Sequence, residues 1–103
     1  GFEVGQRVFG FMPGGFATRV NVPAAFLSPV PDGVSLVGAA TMPAGALTVR
    51  LSFDWANVKP GDRVLIHAAS GGVGLAAIQI AQQCGATVFA TASAHKRAAV
   101  RAM

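Results

Sequence analysis

The chain has 103 residues, a hydrophobic fraction of 52% and only 12% charged side chains, the length of one small domain with more apolar surface than so short a chain buries alone. Its net charge of +4 is scattered except at Lys96, Arg97 and Arg101; no aromatics interleave with these cations, which excludes a nucleic-acid stripe, and no run reaches the roughly 18 uninterrupted apolar residues of a membrane span. One cysteine (Cys84) and two histidines (His67 and His95) exclude an internal disulfide and a closed metal site.

Taken in chain order, residues 5–30 read as a compact β unit. Short runs of β-formers at Arg7-Val8-Phe9 and from Phe16 to Val22 are broken by Pro13-Gly14-Gly15 and Pro23. Pro29, Pro31, Asp32 and Gly33 form the turn that ends it. Ser35 is placed to cap a helix. Ala39, Ala40, Met42, Leu47, Leu51 and Phe53 give that helix an intermittent apolar spacing, with an interruption expected at Pro43-Ala44-Gly45. Lys59-Pro60-Gly61-Asp62 is a second turn, and it delivers the chain into a strand at Arg63 with Val64-Leu65-Ile66 as its apolar core.

Three glycines within four residues follow, in Ala69-Ser70-Gly71-Gly72-Val73-Gly74. From Leu75 to Ala81 the apolar residues recur at helical spacing, so Leu75, Ala77, Ile78 and Ala81 are expected to be buried. Cys84 reads as a small core residue, and Gly85 as a stop in the left-handed conformation. Thr87-Val88-Phe89 begins a second strand that ends near Ala90-Thr91, and Ser93 is placed to cap a helix from Ala94. The coarse picture is α/β: a β piece followed by the first β-α-β of a doubly wound parallel sheet.

Strand, glycine-rich turn, helix and second strand make up the setting in which such a turn binds a dinucleotide. Gly71 lets a pyrophosphate approach the backbone, Gly74 lets the helix pack on the strand, and the exposed N–H groups of the helix's first turn favour negative charge. The first glycine of the usual pattern is Ala69 here, and the competing reading is a tight turn with no ligand. A carboxylate about 20 residues further on would mark NAD. Between Val88 and Arg101 there is none; Thr91-Ala92-Ser93 is followed by Lys96 and Arg97. A hydroxyl with cations suits a 2′-phosphate, so the expected cofactor is NADPH. The competing reading makes Lys96 and Arg97 solvated helix residues and nothing more. His67 reads as a buried, hydrogen-bonded strand histidine rather than a catalytic one, and His95 as exposed.

The run Val64-Leu65-Ile66-His67-Ala68-Ala69-Ser70-Gly71-Gly72-Val73-Gly74-Leu75-Ala76-Ala77-Ile78-Gln79 closely resembles the cofactor loop of the medium-chain dehydrogenase/reductase superfamily. Supporting segments are Gly5 to Gly10, Gly15 to Thr18, Pro29 to Gly33, Ala39 to Pro43 and Val88 to Ser93. Within the superfamily the chain most resembles the enoyl reductase domains of modular polyketide synthases, in the zinc-independent, quinone-oxidoreductase-like branch. Ala44 falls where zinc-dependent members carry a ligand cysteine.

The resemblance implies that residues 1–38 are the C-terminal part of a GroES-like catalytic domain, and that residues 39–103 are a linking helix and the start of an NADP-binding Rossmann domain cut off after its second strand. It implies hydride transfer from NADPH to the β-carbon of an α,β-unsaturated acyl thioester carried on an acyl carrier protein, amid neighbouring synthase domains in the cytoplasm. Thr48 matches the threonine near the nicotinamide, although Val49-Arg50 replace the small or aromatic residues usual after it. Ala69 to Gly74 match the pyrophosphate loop, while Ser93 and Lys96 match the residues near the 2′-phosphate, with Arg97 beside them. The lysine and aspartate proposed as proton donors in relatives would lie beyond Met103, and a tyrosine found in some members would precede Gly1. The chain alone is therefore expected to be an inactive fragment. A stand-alone quinone or enone oxidoreductase and a non-catalytic nucleotide-responsive relative are the alternatives.

Overall fold

A computed structural model describes all residues, 1–103. The chain resolves into two compact units, Gly1–Pro43 and Ala44–Met103.

In the first unit, β1 (Val8–Gly10) pairs antiparallel with β2 (Leu27–Pro29), with Phe9 opposite Ser28. The Arg7 guanidinium donates to the Val34 carbonyl at 2.7 Å, closing the turn region back onto the start of β1. Gly10 is obligatory at the close approach, because a Cβ there would strike the carbonyl oxygen of Phe26. The strand expected from Phe16 to Val22 does not form: the segment bends at Phe16 to Thr18 and is irregular beyond, and Phe16 is fully exposed. β-propensity alone does not make a strand; the backbone needs a ladder partner, and β1 and β2 have only each other.

Helix α1 spans Leu36–Ala56. Ser35 caps it as expected, its Oγ accepting the Gly38 N–H at 3.0 Å. The interruption expected at Pro43-Ala44-Gly45 is absent, and the helix runs straight through Pro43. The missing N–H and the ring clash disfavour this by about 3 kcal/mol. Packing outweighs that cost. Gly45 faces Gly72 and Ala76, which an added Cβ would meet only at ordinary van der Waals distance, and Val49 and Phe53, one and two turns on, pack into the core. By length and composition alone α1 could cross a membrane, although the sequence offers no uninterrupted apolar run. Arg50 and Asp54 form an ion pair at 3.1 Å within the same helix.

The second unit continues through β3 (Arg63–Ile66), α2 (Gly72–Gln83) and β4 (Thr87–Ala90), with β3 and β4 parallel in the register Ile66↔Ala90. Val49, Ile66, Ala69, Ala77 and Ile78 form the buried core, with Phe53, Val64, Val88 and Val100 packed against it. Gly74, Ala77, Ile78 and Ala81 are the buried stripe of α2; Leu75, expected with them, flanks that stripe and is only half-buried. Cys84 is likewise half-buried at the helix end. Gly85 stops α2 at φ +75°, as its position predicts. The helix expected from Ala94 divides into a 3₁₀ turn at Ala94–Lys96 and a short α3 at Arg97–Arg101.

Candidate functional site

The site is built where β3 gives way to α2. Ala68 takes a left-handed conformation at φ +51°, unusual for a residue with a Cβ. Its carbonyl then accepts the Gly71 N–H at 2.9 Å, closing the turn. Ala69 is fully buried and its methyl belongs to the core with Val49 and Ile78. That explains why alanine stands where glycine is usual: the side chain points into the protein, and the strained residue is the one before it.

Gly74 is the packing glycine. A Cβ there would lie 2.6 Å from the Ala69 Cα and 2.7 Å from the Ala68 oxygen. Gly71 and Gly72 differ from it. A Cβ on Gly71 meets only the Ala68 oxygen, at 3.4 Å, and one on Gly72 meets nothing within 4 Å. The protein itself does not require those two glycines to be bare, so the room beside them is available to a ligand. Gly71 is also the N-cap of α2, and no side chain caps the helix. The first-turn N–H groups thus lack a side-chain acceptor, and the dipole points at open space. These features fit a phosphate group.

The C-terminal end of β4 lies against this loop. Thr91 N–H donates to the Ile66 carbonyl and Ala69 N–H donates to the Thr91 carbonyl, both at 2.9 Å. The Thr91 hydroxyl accepts the Ala68 N–H at 3.3 Å and lies 3.1 Å from His67 Nδ1. His67 is hydrogen-bonded as expected but exposed rather than buried, because β3 ends at Ile66 and His67 already belongs to the turn. Thr91's hydroxyl is therefore engaged with the loop. Ser93 stands at the N-cap of the following turn, yet its hydroxyl makes no cap hydrogen bond. It is the free hydroxyl of this segment.

Lys96 and Arg97 follow and are exposed. Arg97 lines a hollow whose other walls include Ile78 and Gln82 of α2 and Val88 of β4; Lys96 does not. Residues 1–62 carry four basic and four acidic side chains, whereas residues 63–103 carry four basic ones (Arg63, Lys96, Arg97 and Arg101) and no acid. The whole net charge of +4 resides in the β3–α2–β4 half, and Arg63 is turned onto the Phe89 ring, 5.0 Å from its centroid.

Thr48 lies on α1 near Gly45, and its hydroxyl donates to the Ala44 carbonyl at 2.7 Å. Val49, which departs from the expected small or aromatic residue, is a core residue, and Arg50 is the surface partner of Asp54. The structure thus brings Ala69 to Gly74 together with the Thr91 end of β4. Thr48 makes no hydrogen bond with that loop. The link through Thr91 is the feature that sequence reasoning missed. Its signal was the parallel register: Arg63↔Thr87, continued by four residues, sets His67 opposite Thr91.

No family model matches the chain. It is 48% identical over 103 residues to the mycoketide-CoA synthase of Mycobacterium tuberculosis, covering 99% of this chain and 2% of that one. With a highly reducing polyketide synthase of Arthrinium phaeospermum it shares 44% identity over 97 residues, or 93% of this chain and 4% of the synthase. Among solved structures, the CurK enoyl reductase matches at a TM-score of 0.75 and 44% identity, over 79% of this chain and 25% of that one. The quinone oxidoreductase of Thermus thermophilus, a protein also crystallised with NADPH, matches at 0.84 and 40% identity, over 90% and 32%. The chain belongs to the medium-chain dehydrogenase/reductase superfamily. It spans a few per cent of these synthases and about a quarter to a third of these oxidoreductases. The α/β architecture expected from the sequence is that of these members of the superfamily.

Proposed function

We propose that the chain is the cofactor-loop segment of an NADPH-dependent enoyl reductase acting within a polyketide synthase. The observation that carries this reading is the start of α2, which is uncapped and flanked by two glycines whose absent side chains leave space that the protein does not fill. In this assignment residues 1–38 end the GroES-like catalytic domain and residues 39–103 open the NADP-binding one. NADPH, when bound, supplies a hydride to the β-carbon of an α,β-unsaturated acyl thioester. The chain's own part is to hold and orient: the N–H groups of Gly72 to Gly74 receive the pyrophosphate, and the loop from Ala69 to Val73 shapes its bed. Ser93 and Lys96, with Arg97 beside them, receive the 2′-phosphate, and Thr48 borders the nicotinamide. Fixing the nicotinamide in this way lowers the entropic part of the barrier.

Closeness to polyketide synthases along nearly the whole chain favours a substrate tethered to an acyl carrier protein, with neighbouring synthase domains as partners and the cytoplasm as the compartment. A stand-alone quinone oxidoreductase is the second reading, favoured by the wider structural match to the Thermus enzyme. One experiment separates them. The reductase domain containing this chain is supplied with NADPH and either a short trans-2-enoyl thioester or a quinone, and cofactor oxidation is followed. The proposal expects thioester turnover with NADPH preferred over NADH. Turnover of the quinone alone supports the second reading, and equal use of the two nucleotides sinks the 2′-phosphate assignment.

A further inference from the structure

We infer that Thr91 is a positioning residue for the cofactor loop: through its hydroxyl, the end of β4 holds Ala68 and His67 in the conformation that presents the start of α2. This inference rests on the cofactor reading above and deepens it. Four contacts converge on the one residue. Its N–H and carbonyl bond Ile66 and Ala69, which merely continues the parallel ladder past its last strand pair. Its hydroxyl does something the ladder does not require. It accepts the N–H of Ala68, the residue held at φ +51°, and meets His67 Nδ1. With the ring proton on Nε2, the Thr91 O–H donates to Nδ1, so the hydroxyl is satisfied in both directions.

An alanine in the left-handed region costs on the order of 1 kcal/mol, and it persists only where its surroundings determine it. Here the determinant is the Thr91 hydroxyl on one side and the Gly71 N–H bonding the Ala68 carbonyl on the other. If Ala68 relaxes, the Ala68–Gly71 turn opens and the N–H groups that follow it lose their common aim. Thr91 therefore serves the part of the site that any dinucleotide would use. Ser93, two residues on and with a free hydroxyl, serves the part that distinguishes a 2′-phosphate. The chain thus assigns affinity and selectivity to two hydroxyls on either side of Ala92.

The test uses the reductase domain containing this chain, with Thr91→Val, Thr91→Ser, Ser93→Ala and His67→Ala variants. NADPH and NADH dissociation constants are measured by titration calorimetry, and amide exchange of residues 68–72 is followed without nucleotide. Thr91→Val is expected to raise both dissociation constants about three- to tenfold, the worth of one hydrogen bond, leaving their ratio unchanged. It also speeds loop exchange, and Thr91→Ser restores both. His67→Ala gives a smaller change in the same direction, and Ser93→Ala changes the ratio. Three results overturn the inference: unchanged constants and exchange in Thr91→Val; weakening confined to NADPH, which would put the hydroxyl on the 2′-phosphate; or a lower melting temperature with unchanged affinity, which would make Thr91 a stability residue only. If the wild-type domain binds neither nucleotide while Thr91→Val still speeds loop exchange, the cofactor reading fails and the tether stands.

Discussion

Gly74→Ala tests the site geometry most directly, because the added methyl group has nowhere to go. Built on the backbone, it would sit 2.6 Å from the Ala69 Cα, 2.7 Å from the Ala68 oxygen and 2.8 Å from the Ala69 carbonyl carbon. All three are main-chain atoms, and the Ala68–Ala69 segment is pinned by hydrogen bonds to Thr91 and Gly71. Overpacking of this kind costs about 1–3 kcal/mol, and the rigid surroundings favour the upper end. Alanine returns about 1 kcal/mol in helix propensity, which leaves a net loss of about 1–2 kcal/mol. For a reductase domain of about 300 residues, the size that the matched coverages imply, that lowers the melting temperature by roughly 2–3 °C. Gly72→Ala is the internal control: it lies in the same helix turn, with nothing within 4 Å of the new Cβ, and should melt at or slightly above the wild type. Scanning calorimetry of the reductase domain and both variants decides the matter. A Gly74→Ala protein as stable as wild type, or a Gly72→Ala protein that falls with it, would refute the assignment of Gly74 to helix packing and of Gly72 to open space.

Gly71→Ala meets only one protein atom, at 3.4 Å, so it should fold normally while weakening NADPH binding about tenfold or more; titration by cofactor fluorescence checks this. Lys96→Ala should weaken NADPH about 10- to 150-fold and NADH hardly at all, because a charge-assisted hydrogen bond contributes about 1.5–3 kcal/mol. Ile78→Ala, at a position 3% exposed, should destabilise the domain by about 2–5 kcal/mol in a denaturant titration without altering the NADPH to NADH preference. Asp54→Ala removes an exposed i,i+4 ion pair and should shift stability by less than about 1 kcal/mol.

The half of the chain from Arg63 onward was legible in the sequence because each signal there agrees with its neighbours. β-formers at Val64 to Ile66, glycines at Gly71, Gly72 and Gly74, a helical stripe at Ala77, Ile78 and Ala81, and a glycine stop at Gly85 all specify the same β-α-β. Where the sequence misled, a long-range contact outweighed a local rule. Pro43 should break a helix, but Val49 and Phe53 pack α1 on the core and carry it through. Phe16 to Val22 has strand composition with no strand beside it. Thr91 reads in the sequence only as the end of a strand. Only the register with β3 reveals that its side chain reaches back to the loop while that of Ser93 stays free.

The separation of charge along the chain has a consequence for kinetics. Residues 1–62 are neutral as a group, whereas four cations and no anion follow Asp62. A dinucleotide arriving from solution therefore meets an attractive field, because no carboxylate lies within β3, α2 or β4 or in the segment that follows them. Such a field acts across about 8 Å at physiological ionic strength and about 30 Å in dilute buffer. Association should thus slow as salt is added, and more steeply for a ligand carrying an extra phosphate. An apparent cofactor preference measured in dilute buffer would overstate the one that operates in a cell.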